Sequence, residues 1–391
     1  MSDVVIVAAK RTAIGSFNGV FSAVTAPQLA AAAIKATLAD SGVGAAEVEE
    51  ALIGCVLSAG VGQAPARQAA LGAGLSLGTT CTTVSKVCGS GMRAAMLAFD
   101  AIKAGSAKVV IAGGMESMTN APYLLPKARS GYRFGHGEVL DHMALDGLQN
   151  AADRKAMGEF AEICVSKYSF SREEQDAFAS ESVKRANAAI QSGAFAAEIA
   201  PVTVAGRKGD VVVQSDEEPP LCDLSKVSSL RPAFKKDGSV TAASSSKISD
   251  GAAALLMMSS EEAARRGLKP LARVVAHQSH AQEPEWFTTA PVGAIQKLQA
   301  KIGWSNEQVD LYEINEAFAV VAMAAIRDCA LDPSKVNVNG GACALGHPIG
   351  CTGARILVTL LHALKARGGK RGIASLCIGG GEATAMAIEM L

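Results

Sequence analysis

The sequence is poor in aromatic residues, which make up 4% of the chain. A core must therefore be built from Ala, Val, Ile and Leu. No charge sign is in excess, with 37 Lys+Arg against 37 Asp+Glu. There is also no basic stripe interleaved with aromatics, so nucleic acid is not an expected partner. Long apolar runs are missing: Leu29 to Ile34 and Ala252 to Met258 are among the longest. These fall far short of the roughly 20 residues a bilayer demands, and no membrane association is expected. Met1-Ser2-Asp3 brings no basic or Arg/Ser-rich leader, and Ile388-Glu389-Met390-Leu391 matches no common targeting tail, so a cytoplasmic location is the expectation. The cysteines number 9, an odd count, and none are spaced CxxC. That argues for reduced thiols, buried or reactive, rather than a disulfide framework.

What is present is 391 residues, 49% hydrophobic, with 39 glycines clustered beside other motifs. The length suggests two or three domain-sized units. The most informative pattern is internal repetition. Ile34 to Gly42 spans eight positions, and so does Ile295 to Gly303; each Gly is followed six residues later by a Val and then an apolar run. Both copies read as an amphipathic helix stopped by Gly, a short loop and a buried strand. A second shared block opens with Gly91-Met92-Arg93 and with Gly353-Ala354-Arg355. Each leads to an apolar helix, a Lys/Gly turn and a strand, Lys108 to Ala112 or Ile373 to Ile378, that ends in glycines. Val4 to Ala9 has its counterpart in Ala272 to Ala276. Strands alternating with helices predict an α/β fold of two packed halves, each a sheet covered by helices. Between them, 119–249 reads as an insertion that forms a lid or ligand flap, with one helix from about Arg172 to Ser192 opened by a Ser171/Glu174 capping box.

Four motifs stand where α/β folds place their sites, at strand ends and helix starts. In Val87-Cys88-Gly89-Ser90-Gly91, Cys88 precedes a helix whose N–H dipoles would favour the thiolate, and the glycines would allow a sharp turn; a small buried thiol is the plain alternative. In the glycine-rich run Gly340 to Gly350, His347 could take a proton from a thiol, or simply fill structural hydrogen bonds. Leu376-Cys377-Ile378-Gly379-Gly380-Gly381 closes a strand with a second Cys and exposes backbone N–H groups suited to an oxyanion; no phosphate-loop pattern follows. Asn315-Glu316-Ala317-Phe318-Ala319 places Asn315 to hold a water or carbonyl, or to cap a helix above a core Phe318. Taken jointly, two thiols, one imidazole and an anion site suit acyl transfer through a thioester.

These blocks, VCGSGM, NEAFA, GGACALGHPIGCTGAR and CIGGG, resemble the signature motifs of the thiolases in order and spacing. Gly113 to Met118 and Ser249 to Ala254 fit as well. The resemblance covers essentially the whole chain and is strongest to the bacterial acetyl-CoA acetyltransferase (acetoacetyl-CoA thiolase) branch. It implies the thiolase fold, two similar halves each with a mixed sheet in a five-layered αβαβα arrangement plus an inserted loop domain. Its implied boundaries are 1–118 with 250–268, 119–249, and 269–391. It implies Cys88 as the acylated nucleophile, His347 as its proton acceptor, Cys377 as the base, Asn315 as holder of a catalytic water, and the N–H of Gly379 as an oxyanion donor. Ser246 would meet pantetheine, while Met157, Phe287, Ala317 and Phe318 would wall the acyl pocket. No permanently bound cofactor is implied. Acetyl-CoA, CoA and 3-ketoacyl-CoA would be substrates, and a homotetramer or homodimer the assembly. Ser244, Lys247 and Ala156 depart from residues common in that branch, and Pro219-Pro220 stand near where an adenine-contacting Arg is usual. A longer-chain degradative 3-ketoacyl-CoA thiolase is the alternative. A ketoacyl synthase would pair its Cys with two His, whereas Cys377 holds the third position here. A non-catalytic acyl-CoA carrier would have lost one of Cys88, His347 and Cys377, and all three are present.

Overall fold

The computed structural model describes residues 2–207 and 209–391; Met1 and Lys208 lie outside the described residues. The repetition seen in the sequence governs the architecture. The first half runs β1 (Val4–Thr12), α1 (Ala26–Ser41), β2 (Glu50–Gly54), α2 (Pro65–Gly72), β3 (Thr80–Val84), α3 (Ser90–Ala104) and β4 (Val109–Ser117). An insertion follows, carrying α4 (Met157–Tyr168) and α5 (Arg172–Gln191), before β5 (Ser249–Ser259) completes the first sheet. The second half runs β6 (Ala272–Ala281), α6 (Ala290–Ile302), β7 (Leu311–Ile314), α7 (Ala319–Asp328), α8 (Ile349–Arg367), β8 (Arg371–Ile378) and β9 (Glu382–Met390).

The duplicated glycines do the same work twice. Gly42 ends α1 at φ 73° and Gly303 ends α6 at φ 71°, a left-handed conformation that only glycine adopts cheaply. Each is followed by a short 3₁₀ turn, Ala45–Glu47 or Asn306–Gln308, and a buried Val48 or Val309. In the first sheet β1, β5 and β4 pair antiparallel, and β4, β2 and β3 parallel. In the second, β6, β9 and β8 pair antiparallel, and β8 and β7 parallel. The position of β3 is reduced there to a single bridge between Tyr312 and Val336. The expected mixed sheet is present in each half, yet the two are joined: Val4 to Ile6 pair with Val274 to Ala272, so one hydrogen-bonded path crosses both.

Burial explains the layering. Strand β5 sends Ala253, Leu255 and Met257 to the central core and Ala252, Ala254, Leu256 and Met258 to the core under α1. Both faces are apolar, as expected for a covered sheet. Helices α3 and α8 fill the space between the sheets, α1 and α2 cover the outer face of the first, and α6 and α7 that of the second. Helix α8 is long and apolar enough by composition to span a bilayer, a property the short apolar runs did not suggest, but it lies buried between the sheets.

The glycines of the shared Gly-x-Arg block lie at the crossing of α3 and α8. A Cβ on Gly91 would come within 2.7 Å of Ala354 N, and one on Gly353 within 2.3 Å of Met92 N. Each glycine thus admits the other helix's backbone. The strand expected to stop at Ala112 continues through Gly113 and Gly114 to Ser117. Those glycines mark close approach, because a Cβ on Gly114 would lie 2.2 Å from the Gly350 carbonyl oxygen.

In the insertion, α5 has the anticipated capping box, with Glu174 N–H donating to Ser171 Oγ (3.1 Å) and Ser171 N–H to Glu174 Oε2 (2.7 Å). Helix α4 was not expected. Its N-cap is Ala156, and only Glu159 turns back to accept from the cap N–H (3.0 Å).

Candidate active site

The crossing of α3 and α8 brings together the two loops that precede them. Val87, a β-branched residue, sits at φ 45°, a strained conformation that turns the chain sharply before Cys88. Ser90 fastens the turn: its hydroxyl donates to Val87 O (2.6 Å) and accepts from Lys86 N–H (2.8 Å). The sharp turn is therefore made at Val87 and not by the glycines. Gly89 has φ −82°, and its role is close approach, since a Cβ there would meet Ile378 Cδ1 at 2.4 Å.

Cys88 is half-buried, with the backbone N–H groups of Gly379 and of Cys88 itself near its sulfur. Burial outweighs these donors and pushes the thiol up to about 11. The expectation that the helix start would leave a ready thiolate is thus corrected, because desolvation of the anion is the larger effect. Cys377, next to the end of β8, is fully buried. Its thiol is raised well above the ordinary range by burial and then by the charge of Cys88, which places the two sulfurs in one another's field.

His347 is held from three sides. Its N–H donates to Lys247 O (2.9 Å), its Nδ1 lies 2.6 Å from Thr352 Oγ1, and its Nε2 lies 3.4 Å from Asn315 Nδ2. Thr352 Oγ1 also lies 3.0 Å from Pro348 O; with the hydroxyl proton given to that carbonyl, Nδ1 donates to Thr352 Oγ1. Nε2 is then the unprotonated nitrogen. Burial, with a smaller contribution from the Arg355 charge, lowers the imidazole to about 3 and keeps it neutral. A neutral base beside a protonated thiol can exchange a proton only as the sulfur attacks, when charge passes on to the substrate.

Asn315 does not cap a helix. Helix α7 begins at Ala319 after Phe318, while Asn315 N–H continues the strand by donating to Ser375 O (3.0 Å). Its buried Oδ1 has no hydrogen-bond partner, leaving an acceptor free beside Nε2. Ser246 is tied by its N–H to Ala317 O (3.0 Å), and Ala319 N–H donates to Ser244 O (2.8 Å). The serine segment and the Phe318 segment therefore move as one strip of backbone.

A cavity of about 510 Å³ opens from this point between the insertion and both halves. His347, Met157, Phe318, Ser246 and Ile349 line it. Cys88 packs against the apolar cluster that holds Met118 and Ile349, two residues of the cavity wall, and Met157, a third, lies 3.8 Å from where a Cβ on Gly379 would stand. Phe287 does not line it. It stands behind Phe318, edge-on at 6.4 Å, in a cluster that also holds Phe160, Ala317 and Cys377. Phe234, not singled out in the sequence, takes the wall position, edge-on to Phe318 at 5.7 Å.

Two more residues escaped sequence reasoning. Thr352 sets the imidazole tautomer. Glu116, buried at the end of β4, accepts from the N–H groups of Val56 (3.0 Å), Leu57 (3.1 Å) and Gly350 (2.9 Å), tying the first turn of α8 to the first half; burial raises it to about 7. Both stand inside quoted motifs, but nothing in their spacing marks them. No cluster of potential metal ligands occurs among the described residues.

Comparison with known proteins bears on the whole chain. The family model described as "Thiolase, N-terminal domain" matches residues 4–261, and "Thiolase, C-terminal domain" matches 268–390. The acetyl-CoA acetyltransferase of Pseudomonas aeruginosa is 49% identical over 390 residues, 99% of each chain. Acetyl-CoA acetyltransferase 2 of Arabidopsis thaliana is 51% identical over 392 residues, covering 100% of this chain and 97% of that one. Among solved structures, the Bacillus anthracis acetyl-CoA acetyltransferase superposes with TM-score 0.98 at 44% identity, covering 100% of this chain and 99% of that one. The Ascaris suum Acat5 thiolase, in complex with coenzyme A, gives 0.95 at 42% identity over 100% of both chains.

Proposed function

The chain belongs to the thiolase family of acyltransferases, and on that premise we propose that it condenses two acetyl-CoA into acetoacetyl-CoA and CoA, and runs the reverse thiolysis, through an acyl-Cys88 intermediate. The observation that carries this reading is the buried imidazole of His347, its Nδ1 against Thr352 Oγ1 and its Nε2 against Asn315 Nδ2, on the wall of a cavity whose Met118 and Ile349 belong to the cluster that Cys88 packs against.

The steps follow from the groups present. Cys88 sulfur attacks the thioester carbonyl while its proton passes to His347 Nε2. The N–H groups of Cys88 and Gly379 hold the tetrahedral oxyanion. The bond to CoA breaks, and the departing thiolate takes the proton of Cys377, whose raised pKa otherwise keeps it protonated. Cys377 is then a thiolate beside an uncharged acyl-Cys88. It removes a methyl proton from the second acetyl-CoA. His347, carrying its proton, and Asn315 Nδ2 face the enolate oxygen. The enolate carbon bonds to the acyl carbonyl carbon, the C–S bond to Cys88 breaks, and His347 returns the proton to Cys88. No proton is lost over the cycle, and no permanently bound cofactor enters it.

The aromatic wall of Phe234 and Phe318 favours short acyl groups. The sequence 123–140 displays Tyr123, Leu125, Phe134 and Val139 to solvent, which supports assembly with further copies of the chain. All nine thiols are unpaired, which supports a reducing, cytoplasmic setting. Incubation with acetyl-CoA should release about one equivalent of CoA per chain and leave Cys88 acetylated by peptide mass spectrometry. An unmodified Cys88 would overturn the reading. Cys377→Ala should still acylate, more slowly, and form no acetoacetyl-CoA.

A further inference from the structure

Glu316 follows Asn315 in the chain, is buried, and stands outside the wall of the 510 Å³ cavity. Its carboxyl group meets three donors. Ser182 Oγ, on α5, lies 2.7 Å from Oε2, Asn337 Nδ2 lies 2.9 Å from Oε1, and the Cys343 N–H donates to Oε2 at 3.1 Å. What each side chain does elsewhere sets the direction of its bond. Ser182 Oγ accepts from the Gly341 N–H (2.9 Å), which leaves its proton for Glu316. Asn337 clasps both polar groups of Ile314, its Oδ1 accepting from the N–H (2.8 Å) and its Nδ2 donating to the carbonyl (2.8 Å). That fixes the end of the amide that faces Glu316. Three donors and no acceptor suit an ionised carboxylate. Burial pushes the carboxyl up, and these donors, then the Arg355 charge, oppose it.

The neighbouring glycines admit the carboxylate. Gly340 has φ 79°, and a Cβ on Gly341 would stand 2.3 Å from Glu316 Cδ. The run that carries His347 can therefore close over Glu316. At its far end the same run is held by Glu116, which accepts from the Gly350 N–H (2.9 Å). His347 thus lies between two buried carboxylates. The one at Gly350 grips the start of α8. The one at Cys343 stands at the root of Asn315, and through Ser182 it also grips the insertion.

We propose that Glu316 is a positioning residue for condensation, which sets the Asn315 amide against His347 Nε2 by binding together the segments that carry them. This deepens the acetyl-CoA reading above and rests on it. The separation it governs is the 3.4 Å between Asn315 Nδ2 and His347 Nε2, the two groups that face the enolate oxygen. Glu316 touches neither the cavity nor the reacting atoms, so its effect falls on kcat and not on KM. Glu316→Gln keeps the shape but turns an amide N–H toward a donor whichever way it lies, toward Asn337 Nδ2 or toward the Cys343 N–H.

The experiment follows acetoacetyl-CoA formation by the full chain as wild type, Glu316→Gln and Ser182→Ala. Each rate is divided by the fraction of chains whose Cys88 becomes acetylated at the end point, read by peptide mass, so that misfolded chains drop out. In Glu316→Gln, kcat per competent chain should fall about 10- to 100-fold, with KM for acetyl-CoA changed less than about twofold. Ser182→Ala removes one donor and should lower kcat in the same sense by about 3- to 10-fold. If Glu316→Gln fails to fold, Ser182→Ala decides alone. An unchanged kcat per competent chain in the variants that fold overturns the proposal and leaves Glu316 purely structural. A raised KM at unchanged kcat overturns it too, since the carboxylate would then shape the cavity wall. A wild type that forms neither acetyl-Cys88 nor acetoacetyl-CoA would instead sink the acetyl-CoA reading itself.

Discussion

The two halves of the chain use the same scaffold and differ in what they hang on it. In each, a loop leads into a central helix through a hydroxyl residue and a glycine: Ser90-Gly91 opening α3, Thr352-Gly353 in the first turn of α8. The glycines are interchangeable in role, each letting the opposite helix's backbone in. The hydroxyls are not. Ser90 binds backbone on both sides and closes the Cys88 turn, while Thr352 donates to Pro348 O and accepts from His347. Where the first half continues its sheet with β3, the second has one bridge at Val336 and spends the following residues on the run that delivers His347. Duplication thus supplied a symmetric cleft, and departures from symmetry supplied its chemistry.

The largest expected effect falls on the symmetric part. Gly353→Val and Gly91→Val each place carbon against backbone at under 3 Å, with no flexible side chain to yield. Each should destabilise by about 4 kcal/mol or more, read as a lowered urea midpoint or loss of soluble protein. A mild effect at one site and a severe one at the other would break the equivalence of the two helices.

The next concerns the asymmetric part. Burial moves the thiol of Cys88 and the imidazole of His347 in opposite directions, to about 11 and about 3, and leaves both uncharged. For His347, whose folded value lies below the unfolded value of about 6.5, the unfolded chain binds the extra proton. Stability therefore rises with pH between about 3 and 6.5 and is lost as pH falls through that window, by up to about 1.4 kcal/mol per pH unit. Glu116 and Glu313, raised by burial to about 7 and about 8 from an unfolded value of about 4.5, act in the opposite sense between those values and so overlap the His347 window. The useful quantity is thus the difference between wild type and His347→Asn, which should flatten by one proton at pH 4 to 6 in denaturant titrations. Alkylation of Cys88 by iodoacetamide, followed by peptide mass, should meanwhile climb about tenfold per pH unit through neutrality. A plateau at pH 7 would mean a preformed ion pair.

A smaller effect separates the two hydroxyls. Thr352→Val leaves the Nδ1–H of a buried imidazole without an acceptor, at a cost of about 1–3 kcal/mol shared between folding and the tautomer equilibrium. The expected result is a kcat lowered roughly tenfold to a hundredfold, with Thr352→Ser restoring it. Ser90→Ala should show up as lost stability and slower Cys88 acylation together, because it loosens backbone.

Much of this was legible in the sequence, and the reason is local. Gly42 and Gly303 stop helices through their own φ, the Ser171–Glu174 box lies within one turn, and the four motif blocks each carry their chemistry within a few residues. What was missed depends on distant partners. Gly113 and Gly114 look like a strand end until α8 is placed beside them. Thr352 looks like any helix residue until the His347 ring is seen to reach back to it. Phe287 and Phe234 exchange wall and backing positions according to how the insertion folds over α7, and the pKa of Cys88 depends on burial contributed by both halves.

The smallest effect gives the finest test of the repeat. Gly42 and Gly303 occupy the same left-handed cap, at φ 73° and 71°, and a Cβ at either would meet nothing within 4 Å. Substitution by Ala therefore adds no clash and isolates the backbone cost. That cost is about 1 kcal/mol at each site, reduced slightly because Ala also restricts the unfolded chain. Equal losses for Gly42→Ala and Gly303→Ala, additive in the double variant, are expected from caps on opposite outer layers that share no partner. Unequal losses would mean that one outer helix is held by its packing and the other by its cap. The two halves would then have diverged in stability as well as in chemistry.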